Sequence, residues 1–480
     1  MTDLKTKYIY TFLIIFLIAD LSISFFQYYN VPIDGDLPMI VAPSYHYADV
    51  LQDPLGIHAI QQNKPVGGMG RFSAHWSMHT YYHHVPLWLQ TFVEPIASVY
   101  LASALFMLLV QLLLMIILAK LITQKKHLFH SSNLLVYALL TPLFQTNFNY
   151  DVMGLIDHAP TYVFFYAWPI ALFLLCFAPF YKLFFGAKAN GIGLKSMIWG
   201  IPLYCFVGFC GPLIPPITLI WNAILSLCLI RKNHSLFKSV DWKSIDFRKQ
   251  FLNPFCIIIA YSVIALYAYY LGSYNIYDPN SNVLMSWSER YSLLAKGLLH
   301  VLTDSYGFSL LVLLVIFNCF LINRFSKGYF DKYKGLFICI GIFCVCYLLL
   351  LPLGGYRPYR PYIIRYDTLI PVTLSVIFLY LHSSYHLINS QFSFKRNYMI
   401  VLSVITLGYF ASDLRIKQGA KCERLSLKEI ESSTADTVIL INGCNVLSWE
   451  PIHDPKNSLY PSKMLQKWNI MKQEQFYMVK

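Results

Sequence analysis

Residues 8–28, YIYTFLIIFLIADLSISFFQY, hold a single charge, and residues 29–43, YNVPIDGDLPMIVAP, follow at once with two acids, Asp34 and Asp36. An α-helix rises 1.5 Å per residue, so about 20 apolar residues cross a hydrocarbon layer of ~30 Å. Lys5 and Lys7 precede the run. Its length exceeds that of a signal-peptide core, and no small-residue cleavage site follows, so the reading predicts a retained first span. Asp34 and Asp36 then stand where that helix leaves the membrane. Pro32, Asp34 and Gly35 are turn formers, and a plain polar turn is one reading of the pair. A carboxylate pair at the mouth of a site is the other.

Composition extends the membrane reading to the whole chain. Its 480 residues are 57% hydrophobic, 17% aromatic and 13% charged. That charged fraction is about half the usual value for a soluble domain, and the mean hydropathy is +0.51. The 37 basic and 24 acidic residues leave +13. The basic residues sit in short gaps between apolar runs, a topology signal rather than a nucleic-acid footprint. Cys176, Cys205, Cys210, Cys344 and Cys346 lie inside apolar runs as packing residues. No zinc-type CxxC pair occurs among the 11 cysteines.

Further spans are expected at about 94–119, 132–146, 161–185, 197–212, 214–230, 251–272, 305–323, 335–353, 367–383 and 398–412. The fold class is therefore an all-α polytopic membrane protein with about eleven transmembrane helices. Residues 1–412 form the multi-pass domain. Gly211, Pro212, Pro215 and Pro216 leave 197–230 open as two spans or one re-entrant hairpin. Alternate loops carry the Lys and Arg residues, from Lys125 and Lys126 to Lys395 and Arg396. The positive-inside rule makes that set cytoplasmic, with the N-terminus. The long loop 29–93 and the polar tail 413–480 are then extracytoplasmic. In the tail, TVILING at 437–443 reads as a buried strand. Cys422 and Cys444 could pair in an oxidising compartment. Short loops and the lack of glycosylation-rich stretches favour a bacterial inner (plasma) membrane.

The outer segments hold the chemistry-bearing residues. NFNYDVMGLIDHAPTYVFF places Asp151, Asp157 and His158 before the fourth span, where a helix N-terminus favours an acid. Asp157 also has the setting of a simple cap. GGYRPYRPYIIRYDT places Arg357, Arg360 and Arg365 on the outer side, against the positive-inside trend. A guanidinium grips phosphate as a bidentate fork, so this loop suits an anionic group at the membrane surface. Pairing with Asp367 is the plainer alternative. RFSAHWSMHTYYHH spaces His75, His79 and His83 four apart, on one face of a helix. They are weak candidates for a metal ion, with no fourth ligand in view. An interfacial helix with Phe72, Trp76, Tyr81 and Trp88 as anchors competes with that reading.

A first helix followed at once by a long loop that opens on acids resembles the GT-C superfamily of membrane glycosyltransferases. Asp34-Gly35-Asp36 stands where that family has its acidic motif, with Leu37 in place of a frequent Glu. Asp157-His158-Ala159-Pro160 is similar to its second acid before a later helix, and Arg357 to Arg365 resemble its late basic loop. The resemblance implies a sugar moved from a polyprenyl-phosphate donor to a glycan, lipid or protein acceptor, with inversion. It implies Asp36 as general base, and Asp34 or Asp157 orienting the acceptor or holding a divalent metal ion if one is used. It also implies the three arginines on the lipid phosphate. Asp151, His158 and Trp76 are acceptor or loop candidates, and the VGGMG turn at 66–70 would help cover the site. A surface-polysaccharide polymerase or ligase, whose large loop comes late, is one alternative. A lipid or solute transporter, which places charge near the bilayer midplane, is another. Among the expected spans only the first has such a charge, Asp20.

Overall fold

The computed structural model describes residues 2–43, 45–145, 153–186, 191–233, 247–276, 285–304, 306–354, 356, 360–413, 419–473 and 475–480. Eight of the described helices are long and apolar enough to cross a membrane. They contain α1 (Thr2–Tyr29), α6 (Pro95–Thr123), α8 (Pro160–Phe185), α10 (Ile214–Asn233), α11 (Asn253–Gly272), α13 (Tyr306–Phe325), α14 (Lys327–Leu350) and α15 (Tyr366–Asn389). Two apolar stretches are shorter, Ser131–Leu143, which opens with α7 (Ser131–Leu140), and α9 (Leu194–Gly208). The chain is thus a multi-pass, mainly helical membrane protein. Helix α16 (Lys395–Ala411) precedes the tail. The stretch 197–230 resolves into two helices, α9 and α10, parted at Gly211 and Pro212.

Burial orders these helices. The apolar windows of α6 and α15 are 61% and 72% buried, and that of α1 only 17%. Helix α1 is therefore peripheral, with Phe12, Ile15, Ile18 and Phe26 exposed. Exposed apolar stripes of this size are tolerated against lipid, not against water. A charge at mid-bilayer costs roughly 2.5–3.5 kcal/mol. The one charge in the middle of α1, Asp20, turns inward, is 1% exposed and accepts a hydrogen bond from the Thr141 hydroxyl.

The two sets of loops gather at opposite ends. At the basic end, Ile192 N–H donates to Lys249 O, Lys232 Nζ to Leu183 O and Tyr10 OH to Phe129 O. The other end carries a second layer. The first loop, 29–93, supplies α2 (Asp36–Val41), α3 (Tyr45–Gln52), α4 (Ile57–Gln62) and α5 (Phe72–Leu89), and the third outer loop, about 273–304, adds α12 (Trp287–Asp304). The small helices α2, α3 and α4 and the amphipathic α12 go beyond the sequence reading.

The tail is more than a polar segment. It folds as α17 (Lys421–Ser432), β1 (Thr437–Leu440), α18 (Leu459–Lys467) and β2 (Phe476–Val479), with β1 and β2 parallel in register Thr437–Phe476. Alternate burial of β1 matches the expected strand. Cys422 and Cys444 form a disulfide. The tail is docked on the first loop. Trp468, fully buried, donates its indole N–H to Tyr82 O, and Gln90 donates to Trp468 O.

Candidate functional site

The chain turns at Pro32 as it leaves α1 and buries Asp34. One oxygen of its carboxylate accepts the N–H groups of Asp36 and Leu37, both at 3.1 Å, and the Thr161 hydroxyl at 2.7 Å. The other accepts the Thr161 N–H at 3.0 Å. A single side chain thus caps α2 and the first turn of α8, satisfying backbone donors that have no partner inside a helix. Burial, and then the nearby charge of Asp36, push Asp34 up to about 6. Every polar edge of Asp34 is engaged, so it fixes where its neighbour Asp36 stands.

Asp36 opens α2 and is half-buried. Its surroundings come from three distant parts of the chain. Tyr162 on α8 lies within electrostatic range of Asp36, Asp34, Arg360 and Asp367. One turn on, Tyr166 reaches the Asp367 carboxylate and feels Arg365 and Arg71. Tyr166 lies within a π-helix, Val163–Ala167, that Tyr162 caps; such widened turns are often found at functional sites. Arg365 pairs with Asp367 at 3.2 Å, as the plainer reading of that loop expected. Arg360 offers its carbonyl to Tyr356 OH.

Gly35, between the two acids, meets the tail. A Cβ there would lie 2.6 Å from Trp449 N and 2.9 Å from Ser448 Cα. Trp449 is half-exposed, with its ring 5.8 Å from that of Tyr162. The tail thus forms one wall of the site.

The remaining sequence candidates fall as follows. Asp157 accepts the N–H of Ala159, the residue just before the helix that begins at Pro160, at 2.8 Å and so shapes the turn into it, and His158 beside it is half-buried. Asp151 and Arg357 lie outside the described residues. Trp76 is 47% exposed, edge-on to Phe206, as an interfacial anchor would be. The three histidines do not converge. His75 is buried between Tyr47 and Phe165, against the VGGMG turn at Gly68, and burial holds it down to about 3. The rings of His79 and His83 lie 4.0 Å apart, tilted by 31°, and His83 meets Val41 O. No cluster of three His, Cys, Asp or Glu fit for a metal exists among the described residues. The VGGMG turn pins the first loop to the third through Val66 N–H and Tyr274 O.

Sequence reasoning missed Thr161, Tyr162, Tyr166, Arg71 and Trp449. Only Arg71 had a local signal, a lone cation at the start of the aromatic helix α5. It lies over the Phe165 ring at 5.7 Å.

Below this cluster an apolar cavity of about 140 Å³ runs between α6, α8, α10, α14 and α15. Its lining begins at Ile170 and Pro371, each four residues beyond Tyr166 and Asp367 on the same helices. That is about one turn, or 5.4 Å, deeper in the membrane. The chain matches no family model, no curated protein and no solved structure.

Proposed function

We propose that this chain is a GT-C-type glycosyltransferase, moving a sugar from a polyprenyl-phosphate donor to an acceptor at the extracytoplasmic face. The observation that carries the proposal is the neighbourhood of two residues one turn apart: Tyr162 feels both Asp36, from the front of the chain, and Arg360, from its far end, and Tyr166 feels Arg365. A hydrophobic hollow one turn below suits an isoprenoid tail, with the headgroup at the level of Arg365. The disulfide in the tail fits an oxidising compartment, and the basic set of loops gathered at the other end fits the cytoplasm. A bacterial inner membrane agrees with both.

In the proposed step, Asp36 takes the proton of an acceptor hydroxyl as its oxygen attacks the anomeric carbon. The bond from that carbon to the phosphate oxygen breaks, and the phosphate leaves with the electron pair. Arg360, Arg365 and Arg71 stabilise that departing charge, with Asp367 orienting Arg365. One displacement inverts the anomeric centre. Asp34 acts as a positioning residue. The polymerase, ligase and transporter alternatives gain no specific feature; Asp20 is buried and one of its oxygens accepts from the Thr141 hydroxyl.

The test is Asp36→Asn, assayed in membranes with a panel of labelled polyprenyl-phosphate sugars. Loss of a general base predicts a fall of about 10²–10⁴-fold, with the Cys422–Cys444 bond and membrane insertion intact. Normal turnover by this variant rejects the assignment. Asp34→Asn should instead lower the amount of folded protein, since an amide cannot accept from all four donors.

A further inference from the structure

A second cleft, of about 1050 Å³, opens between the tail and the rim of the helix bundle. Its floor is membrane-edge structure. Tyr29 is the last residue of α1, and Glu94 precedes the first turn of α6. Its other wall is α17, which presents Lys421, Arg424 and Lys428. Positions i, i+3 and i+7 share one helix face. Arg424 is clamped, with its guanidinium 4.2 and 4.1 Å from the ring centres of Tyr29 and Tyr100 and donating to Tyr29 O. Lys421 and Lys428 are exposed. Three cations against Glu94 give the cleft a positive balance.

Two further residues fix its depth. Phe92, in the lining, is 74% exposed, and Trp88 beside it is 61% exposed with the rings 5.8 Å apart. A bared Trp ring with Phe92 beside it, where α5 leads into the α6 span, fits the headgroup layer. A soluble anion would need the cations but not these rings. A lipid uses both, its phosphate among the cations and its upper acyl chains against the rings.

We infer that this cleft binds the headgroup of an anionic phospholipid, which ties the tail to the rim of the bundle. The inference is independent of the glycosyl-transfer proposal. Lysine meets phosphate as a point charge, and each basic residue near an anionic surface adds to affinity. Helix α17 also holds Cys422 and, on its buried side, Glu423, so the lipid would brace the element on which the tail is hung.

The test is native mass spectrometry of the full chain, released from micelles with defined amounts of phosphatidylglycerol or phosphatidylcholine. Phosphatidylglycerol should be retained preferentially. The pair Lys421→Ala and Lys428→Ala should weaken that retention about thirtyfold. The same number of charges removed elsewhere on the tail, Lys456→Ala with Lys463→Ala, should leave it unchanged. Lys428→Glu provides a second disruption, and resistance of the tail to protease reports that each variant is folded. Equal retention of the two lipids overturns the inference, as does full retention by the Lys421/Lys428 variant. Competition by millimolar inorganic phosphate would also overturn it, marking the site as one for a soluble anion.

Discussion

The two ends of the helix bundle turn the chain in different ways. At the basic end the described connections are held by main-chain bonds and neutral or cationic side chains, such as Ile192 with Lys249 and Asn253, and Lys232 with Leu183 and Gln250. At the other end, buried carboxylates join such bonds. Asp34 joins the first loop to α8, 127 residues away. Glu423, fully buried in the tail, accepts from Ile33 N–H, Leu447 N–H and Tyr100 OH, spanning up to 390 residues. An ionised carboxylate that accepts several short bonds holds its neighbours more firmly than a neutral acceptor does. It also carries a desolvation cost that makes the attachment conditional. One end merely closes the bundle, and the other assembles a layer whose fit depends on a few distant contacts. The acids and arginines of the proposed site belong to that layer.

Three measurements can break or sharpen this contrast. The largest effect is expected from Cys422→Ser with Cys444→Ser. The bridge closes a 22-residue separation, and loops of that size contribute about 3 kcal/mol. The tail should become sensitive to protease while the membrane helices stay protected; a tail that remains resistant would mean the carboxylates suffice. Gly35→Ala comes next. Its new methyl would press on the backbone of Ser448 and Trp449, an overpacking cost of about 1–3 kcal/mol. Gly193→Ala at the basic end meets nothing within 4 Å and should be silent in the same thermal and proteolytic assays. If both glycines behave alike, the two ends do not differ as described.

The smallest effect is a pH dependence confined to the layered end. Burial pushes Glu423 up to about 7 and Asp34 up to about 6, with Asp34 adding to the rise of Glu423 and Asp36 to that of Asp34. A folded-state value above the unfolded one means the folded protein holds the proton longer. Stability is then full below the ordinary carboxylate range and is lost as pH rises through about 6 to 7. Proteolysis of the tail should therefore slow on acidification from pH 8 to pH 5. Glu423→Gln should flatten the upper part of that profile. A tail released by acid instead would reverse the assignment.

Local composition was enough for the class of the molecule. Hydrophobicity is counted along the chain, so the long apolar helices and their alternation with basic loops were legible, as was a strand within 437–443, formed at Thr437–Leu440, whereas Asp157 accepts from the residue just before its helix. The helix at Phe72–Leu89 was legible from its aromatic pattern. The histidine spacing at 75, 79 and 83 was equally regular, yet it led to no shared ligand sphere. A helix face says which residues look the same way, not what they look at.

What tertiary structure alone decided is which of two acids, separated by one glycine, is buried and which stays half-open. That outcome rests on Thr161 and on the backbone of Ser448 and Trp449. It also decided that Arg71, Arg365 and Tyr166 are neighbours and that the tail walls the site. The physical reason is separation. The free energy of a buried carboxylate is set by donors within about 3 Å of it; Asp36 and Leu37 are local donors to Asp34, but Thr161 lies 127 residues along the chain, beyond the reach of any periodicity or motif.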